Sequence, residues 1–279
     1  MQDLINQRKR VGVVILTFNR ITLLKIAICK ILNQSVLADE ILVVDNASND
    51  GTSDFLSSNK NITNLRLEEN SGPAGGFYYG IKYFAAKKNI DYLWLMDDDF
   101  FPAYTCLETL LAKGSKQTVV YPYVRDKDFK TRLDPAWSGL LIPINIVNQV
   151  GLPKKELFFW GEDTEYLKHR INEVHKFQSS WIAAAKGVHF ASRGKNSRAP
   201  WRYYYESRNN IYIRLYVRRT YLNLVQRVYK AFKFWLLLLG GILLQEDNKL
   251  EKTKLFMLGT FHGVFKKLGK TIEPGPTVK

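Results

Sequence analysis

The side chains best suited to chemistry are acidic and gathered at a few points. Asp97-Asp98-Asp99 follows the apolar run Tyr92–Met96. Along an extended chain alternate side chains share a face, so Asp97 and Asp99 are expected to converge while Asp98 points the other way. Adjacent anions repel unless a cation lies between them. Hard carboxylate oxygens suit Mg²⁺ or Mn²⁺, which bridge readily to a diphosphate. An acidic turn capping the next helix is the structural alternative. His189 sits in the short segment Gly187-Val188-His189-Phe190 and becomes a third ligand only if that segment returns to the acidic cluster. His169, His175 and His262 have no such context, and no role is assigned to them.

A second acidic group is Trp160-Gly161-Glu162-Asp163-Thr164-Glu165-Tyr166, at the start of an expected helix. A carboxylate there suits a general base that deprotonates a hydroxyl, and Trp160 offers a flat face for a sugar ring. Acidic residues in a first turn also simply complement the helix dipole. Asn70-Ser71-Gly72-Pro73-Ala74-Gly75-Gly76-Phe77 places glycines ahead of a helix, where backbone can approach a phosphate or sugar closely. Thr17, Asn19, Asp45 and Asn46, at two strand ends, offer donors and acceptors for a base or ribose. Helix caps or Asx turns explain these four equally well. The aromatic and cationic run Trp201–Asn209 is suited either to lining a channel or to packing.

These groups need elements that bring them together. The pattern predicts strands at Val11–Leu16, Glu40–Val44, Asn64–Leu67, Tyr92–Met96 and Leu140–Ile146, and a strand or loop around Gly187–Phe190. Helices are predicted at Ile21–Leu32, Phe77–Lys87 and Glu162–Asn172. Alternation of strand and helix implies an α/β fold with a mostly parallel sheet covered on both faces. In such sheets ligands bind beyond the carboxyl ends of the strands, where the first polar clusters fall.

The chain has 279 residues, 46% of them hydrophobic, and a net charge of +15. That charge is uneven. Residues 1–192 hold 23 Lys/Arg against 21 Asp/Glu, whereas residues 193–279 hold 18 against 5. The reading is a globular domain over 1–200 and a basic, amphipathic helical tail over 201–279. Between Tyr221 and Leu239 the polar residues Asn223, Gln226, Arg227, Lys230 and Lys233 recur at helical spacing within apolar sequence. The charge-free run Phe234–Leu244 falls short of the ~18 residues of a spanning helix. A helix lying in the headgroup layer of an anionic membrane is therefore expected, with core packing or a homo-oligomer contact as the competing uses. The tail carries no nucleic-acid module, so nucleic acid is not an expected partner. The polar N-terminus lacks an apolar signal core, and Cys29 and Cys106, in apolar surroundings, read as buried free thiols, which fits a reducing compartment. Together these point to a cytoplasmic protein held at the inner face of the membrane.

In order and spacing, the segments resemble inverting glycosyltransferases of family 2, which have the GT-A fold. The pieces are Val14–Arg20, Val43–Ser48, Asn70–Phe77, Trp94–Asp99 and Gly161–Asp163, spread over roughly residues 10–210. The run Asn-x-Gly-x-x-Gly-Gly-Phe, the triple Asp, the pattern at 160–166 and a downstream His most resemble bacterial galactofuranosyltransferases that use UDP-galactofuranose. That resemblance implies a divalent metal held by Asp97, Asp99 and His189, with Asp163 as base and Glu162 at the acceptor, where Trp160 offers its stacking face. It implies contacts to the uridine nucleotide from Thr17, Asn19, Asp45 and Asn46; Asn70, Gly75, Gly76 and Asp98 are further donor-side candidates. The expected membrane tail fits a glycan or lipid-linked acceptor. Because the chain departs from the polymerising members in being short, addition of one or a few sugars is expected rather than polymerisation. Rhamnosyltransferases using TDP-rhamnose share much of the layout. A sugar nucleotidyltransferase and a non-catalytic sugar- or membrane-binding scaffold are the readings from other classes. The nucleotidyltransferase wants a basic phosphate signature where Thr17-Phe18-Asn19-Arg20 stands.

Overall fold

A computed structural model describes residues 8–126, 131–132, 134–190 and 198–275. The chain forms two compact units: Met1–Asn70, Gly76–Leu152 and His175–Ser192 in the first, and Ser71–Gly75, Pro153–Val174 and Arg193–Lys279 in the second.

In the first unit β1 (Val11–Thr17), α1 (Ile21–Leu32), β2 (Glu40–Asp45), α2 (Thr52–Ser57), β3 (Thr63–Arg66), α3 (Gly72–Ala85, whose first turn belongs to the second unit) and β4 (Tyr92–Asp97) alternate. There follow β5 (Phe100–Pro102), α4 (Cys106–Lys113), β6 (Thr118–Asp126), β7 (Thr131–Arg132), β8 (Ser138–Pro143), α5 (Ile144–Val150) and β9 (Gln178–His189). The sheet runs β3-β2-β1-β4-β8-β6-β9-β5, with β7 on the edge of β6. Its first four strands are parallel; beyond β4 it is mixed, because β8 is antiparallel to β4 and β6 is parallel to β9. The predicted strand Leu140–Ile146 is therefore shifted, and Pro143 turns the chain into α5.

The parallel half follows from composition. β1 is buried along its whole length, as expected of a β-branched strand covered on both faces. On α1, Leu24, Ala27, Ile28 and Ile31 are buried at spacings of three and four. Burying each such side chain contributes about 1.5–3 kcal/mol, so truncating Ile15, wholly enclosed in this core, costs about 2–5 kcal/mol.

The second unit holds a π-helix at Thr164–Val174, α6 (Pro200–Leu215), α7 (Leu224–Gln245) and α8 (Lys249–Val264). α7 opens with a capping box in which Asn223 accepts from the Gln226 N–H and Gln226 reciprocates. Tyr203, Ile242 and Phe256, one from each long helix, share a cluster with Trp235, Leu238 and Leu239. That cluster occupies one face of α7. Val225, Val228, Phe232, Leu236 and Leu243 are exposed on another.

α7 has 22 residues and its most apolar window has a mean hydropathy of 1.4, long and apolar enough to cross a membrane by length and composition. The charge-free run in the sequence captured only its second half.

Candidate functional site

β4 ends at Asp97, and Asp98 and Asp99 occupy the turn into β5 rather than continuing an extended strand. The face shared by Asp97 and Asp99 thus comes from a turn, not from strand alternation. Two backbone bonds fix it: Asp97 N–H donates to Trp137 C=O at 2.9 Å and Asp98 N–H to Leu16 C=O at 3.0 Å. β5 then pairs with the end of β9, setting Phe100 opposite His189, while Phe190 N–H donates to Asp99 C=O at 2.7 Å.

The pairing brings His189 to the acidic turn. Its Nε2 lies 3.1 Å from Asp99 Oδ1, and ligand atoms of Asp97, Asp99 and His189 all lie within 4.8 Å of one another. Asp99 and His189 are buried, at 4% and 6% exposure. Two carboxylates and an imidazole converging at one point, Asp97 half-buried and the other two buried, suit a divalent cation of the Mn²⁺ type, so the residues fit the metal that the fold implies.

Arg20, just beyond β1, faces this cluster. Its Nη1 donates to Asp98 Oδ1 and to Asp99 Oδ2, and Thr17 Oγ1 donates to Asp98 Oδ2 at 2.7 Å. Burial, reinforced by the charge of Asp99 and opposed by Arg20 and Thr17, pushes Asp98 up to about 6. Burial acts the same way on Asp99, but its side-chain contacts with His189 and Arg20 outweigh it and hold that carboxyl below its usual range. Arg20 stands in the sequence motif without an assigned role; its side chain is a cation beside this turn.

The nucleotide candidates gather at the adjoining strand ends. Asn19, at φ 52°, accepts from Asn49 N–H through its side chain, and its own N–H donates to Ser48 Oγ. Asn46 Nδ2 donates to Asn70 Oδ1 at 3.1 Å. Asp45, fully buried, accepts from Ser48 N–H and from Arg66 Nη1. Gly76 lets α3 lie on β1, since a Cβ there would stand 2.2 Å from Leu16. Gly75 meets only its own turn, through Ser71.

In the second unit the expected helix at Glu162 is a π-helix from Thr164, a local form found often at functional sites. Asp163 Oδ1 accepts from the Thr164 N–H, and Glu162 is buried. The backbone leading to them is strained, with Phe158 and Trp160, neither of them glycine, at positive φ. Gly72 (φ 66°) is required beside it, because a Cβ would stand 2.0 Å from the Phe158 carbonyl oxygen.

A family model for "Glycosyl transferase family 2" matches residues 12–164. The chain belongs to glycosyl transferase family 2. Among solved structures it is similar to S. aureus TarS, at 13% identity and a TM-score of 0.59 over 91% of this chain. It spans 55% of the length of that TarS chain. It is also similar to TarS 1–349 in complex with UDP-GlcNAc, at 14% identity and a TM-score of 0.64, covering 91% of this chain and 81% of that one. These likenesses show the fold. No curated protein sequence matches.

The Asp-Asp-His group lies on the matched domain or on β9, which returns to it. Asn209, named in the sequence only as the end of the 201–209 run, has a part of its own. Its Nδ2 donates to the carbonyls of Leu157, Phe159 and Trp160, so it is an internal clamp on the strained segment. The aromatic density of 201–209 belongs to packing, with Tyr204, Tyr205 and Arg208 fully buried.

Proposed function

We propose that the chain is a metal-dependent, inverting glycosyltransferase that moves galactofuranose from UDP-galactofuranose to a glycan or lipid-linked hydroxyl in bacterial surface-polysaccharide synthesis. The observation that carries the reading is the convergence of Asp97 with the buried Asp99 and His189 at the end of β4 in a family 2 chain. The TarS domain in complex with UDP-GlcNAc supports a UDP-linked donor. The sugar itself rests on the sequence resemblance.

Asp97, Asp99 and His189 would hold Mn²⁺ or Mg²⁺. Such a cation neutralises charge on the departing diphosphate, help given chiefly in the transition state. Asp163 takes the proton of the acceptor hydroxyl as its oxygen bonds to the anomeric carbon. The bond from that carbon to the diphosphate oxygen breaks on the opposite face, and the nucleoside diphosphate leaves. Glu162 and Trp160 bind the acceptor. Thr17, Asn19, Asp45, Asn46, Asn70, Gly75, Gly76 and Asp98 form the donor side, several of them by holding the loops rather than through a free side chain.

Residues 201–279 form the membrane-associating part of the reading. One face of α7 is taken by α6 and α8, while the exposed face is apolar and is flanked by Lys230 and Lys233. This supports a helix lying in an anionic surface at the inner face of the cell membrane rather than one crossing it.

The deciding experiment measures nucleotide release from UDP-galactofuranose, UDP-galactopyranose, UDP-glucose and TDP-rhamnose, with membrane lipid extract, with and without Mn²⁺. Mn²⁺-dependent turnover of UDP-galactofuranose alone is expected. Turnover of TDP-rhamnose instead would overturn the donor and leave the reaction class standing.

A further inference from the structure

His189 lies between two carboxylates. Its Nε2 faces Asp99, while its Nδ1 faces Oδ1 of Asp126 at 3.5 Å, and both Asp126 and the ring are nearly excluded from solvent. Asp126 is the last residue of β6, in parallel register with His189 at the end of β9.

The register is arranged by an irregularity. Pro122 stands opposite Ile182, but the next residue, Tyr123, stands opposite Lys186, so residues 183–185 are extra on β9. Had the first register continued, Asp126 would face Lys186. The shift puts His189 there instead. Bulges beside functional sites commonly re-aim a side chain in this way.

The geometry points to Asp126 as a positioning residue that holds the His189 imidazole with its proton on Nδ1 and its Nε2 lone pair directed at the Asp97/Asp99 cation. The inference rests on the metal reading above. A cation there takes the Nε2 lone pair, so a neutral ring must carry its proton on Nδ1. Asp126 is the acceptor in place for it, one small ring rotation beyond hydrogen-bond length. Carboxylates behind metal-bound histidines fix the tautomer and raise ligand basicity, and their loss weakens metal binding by about 10–100-fold. Asp126 touches neither donor nor acceptor in this scheme; it acts through His189.

The test is a Mn²⁺ titration in the presence of UDP, following the spin-resonance signal of free Mn²⁺, for the full chain and for Asp126→Asn and Asp126→Leu. Asp126→Asn is nearly isosteric and keeps an oxygen toward Nδ1, so it guards against simple misfolding. A circular-dichroism melt confirms each fold. The expected result is Mn²⁺ affinity lowered by about 10–100-fold in Asp126→Leu and by less in Asp126→Asn. If the unaltered chain binds Mn²⁺ and both variants bind within twofold of it, the role of Asp126 is overturned and the metal site stands. If the unaltered chain binds none, the metal reading falls and this inference with it.

Discussion

One guanidinium nitrogen of Arg20, Nη1, lies 3.1 Å from Asp98 and 3.0 Å from Asp99, so a residue after β1 and two after β4 share one electrostatic centre. The parallel pairing of β1 with β4 makes this possible, since Leu16 stands opposite Asp97. Removing the arginine leaves Asp98 buried among like charges. The side chain of Arg20 is 44% exposed, so the usual cost of breaking a buried pair is discounted to about 1 kcal/mol. Arg20→Gln is expected to lower the melting temperature and to regain part of the loss when Mn²⁺ is added, because a bound cation relieves the same repulsion. A melt that matches the unaltered chain with and without Mn²⁺ would show that Arg20 contributes nothing here.

Asp163→Asn is expected to lower turnover by about 10²–10⁴-fold, the usual contribution of a positioned general base, while leaving donor affinity nearly unchanged. Calorimetry with UDP and Mn²⁺ beside a nucleotide-release assay separates the two quantities. Turnover within tenfold of the unaltered enzyme would remove Asp163 from the role of base.

Asn209 Nδ2 reaches three backbone carbonyls of the 157–160 segment, at 2.7–2.9 Å. With two N–H groups shared among three carbonyls, the contacts count as about two bonds of about 1 kcal/mol net each. Leaving the part-buried Phe159 and Trp160 carbonyls unmet adds to the loss, while Leu157 C=O keeps its bond from Arg208. Asn209→Ala is therefore expected to destabilise the chain by about 2–4 kcal/mol in urea unfolding. Because the clamped residues lead directly into Glu162 and Asp163, transfer should fall in conditions where the variant is still folded. Full activity in such conditions would limit Asn209 to a purely structural part.

Much of this was legible in the sequence, and the reasons are local. α1 matches its predicted span Ile21–Leu32 because apolar residues at helical spacing mark it clearly. β1, β2 and β4 were legible because strands buried on both faces are written as continuous apolar runs. His189 was legible only as a condition, since its arrival at Asp99 depends on β9 pairing with β5. Asp126 and Asn209 were not legible: one depends on a register shift between distant strands, the other on a helix reaching back some fifty residues. The start of α3 was read too late, because its glycines resemble a loop until packing against Leu16 shows why they are needed.

His169 provides a pH dependence independent of the metal. Arg218, which can only donate, lies 3.1 Å from its Nε2, so the ring proton sits on Nδ1 beside Tyr221 Oη at 2.6 Å. Burial, then the charges of Arg218, Lys168 and Arg214, push its pKa down to about 3. An unfolded chain protonates this histidine near its ordinary value of about 6.5. Between roughly pH 6.5 and 3 the unfolded state thus binds the extra proton, and stability falls as pH falls. The contribution is fully present above that window and fades by at most about 1.4 kcal/mol per pH unit within it. Urea midpoints at pH 7.5 and 5.5 are expected to differ more for the unaltered chain than for His169→Gln. Equal pH slopes would show that His169 is not held neutral by its surroundings.

The exposed face of α7 separates membrane docking from simple packing. Phe232 and Leu236 sit one turn apart on that face, at 57% and 47% exposure. Phe232→Asp with Leu236→Asp places two charges where the acyl boundary would be and leaves Ala231 and Ile242 on the packed face. The double variant is expected to fold and to lose binding to vesicles containing anionic lipid in a flotation assay. Lys230→Gln with Lys233→Gln should instead weaken binding by about 1 kcal/mol per charge and reduce its sensitivity to salt. Undiminished flotation by the aspartate variant would reject α7 as the docking surface. A loss of self-association rather than of lipid binding would assign the same face to a second copy of the chain.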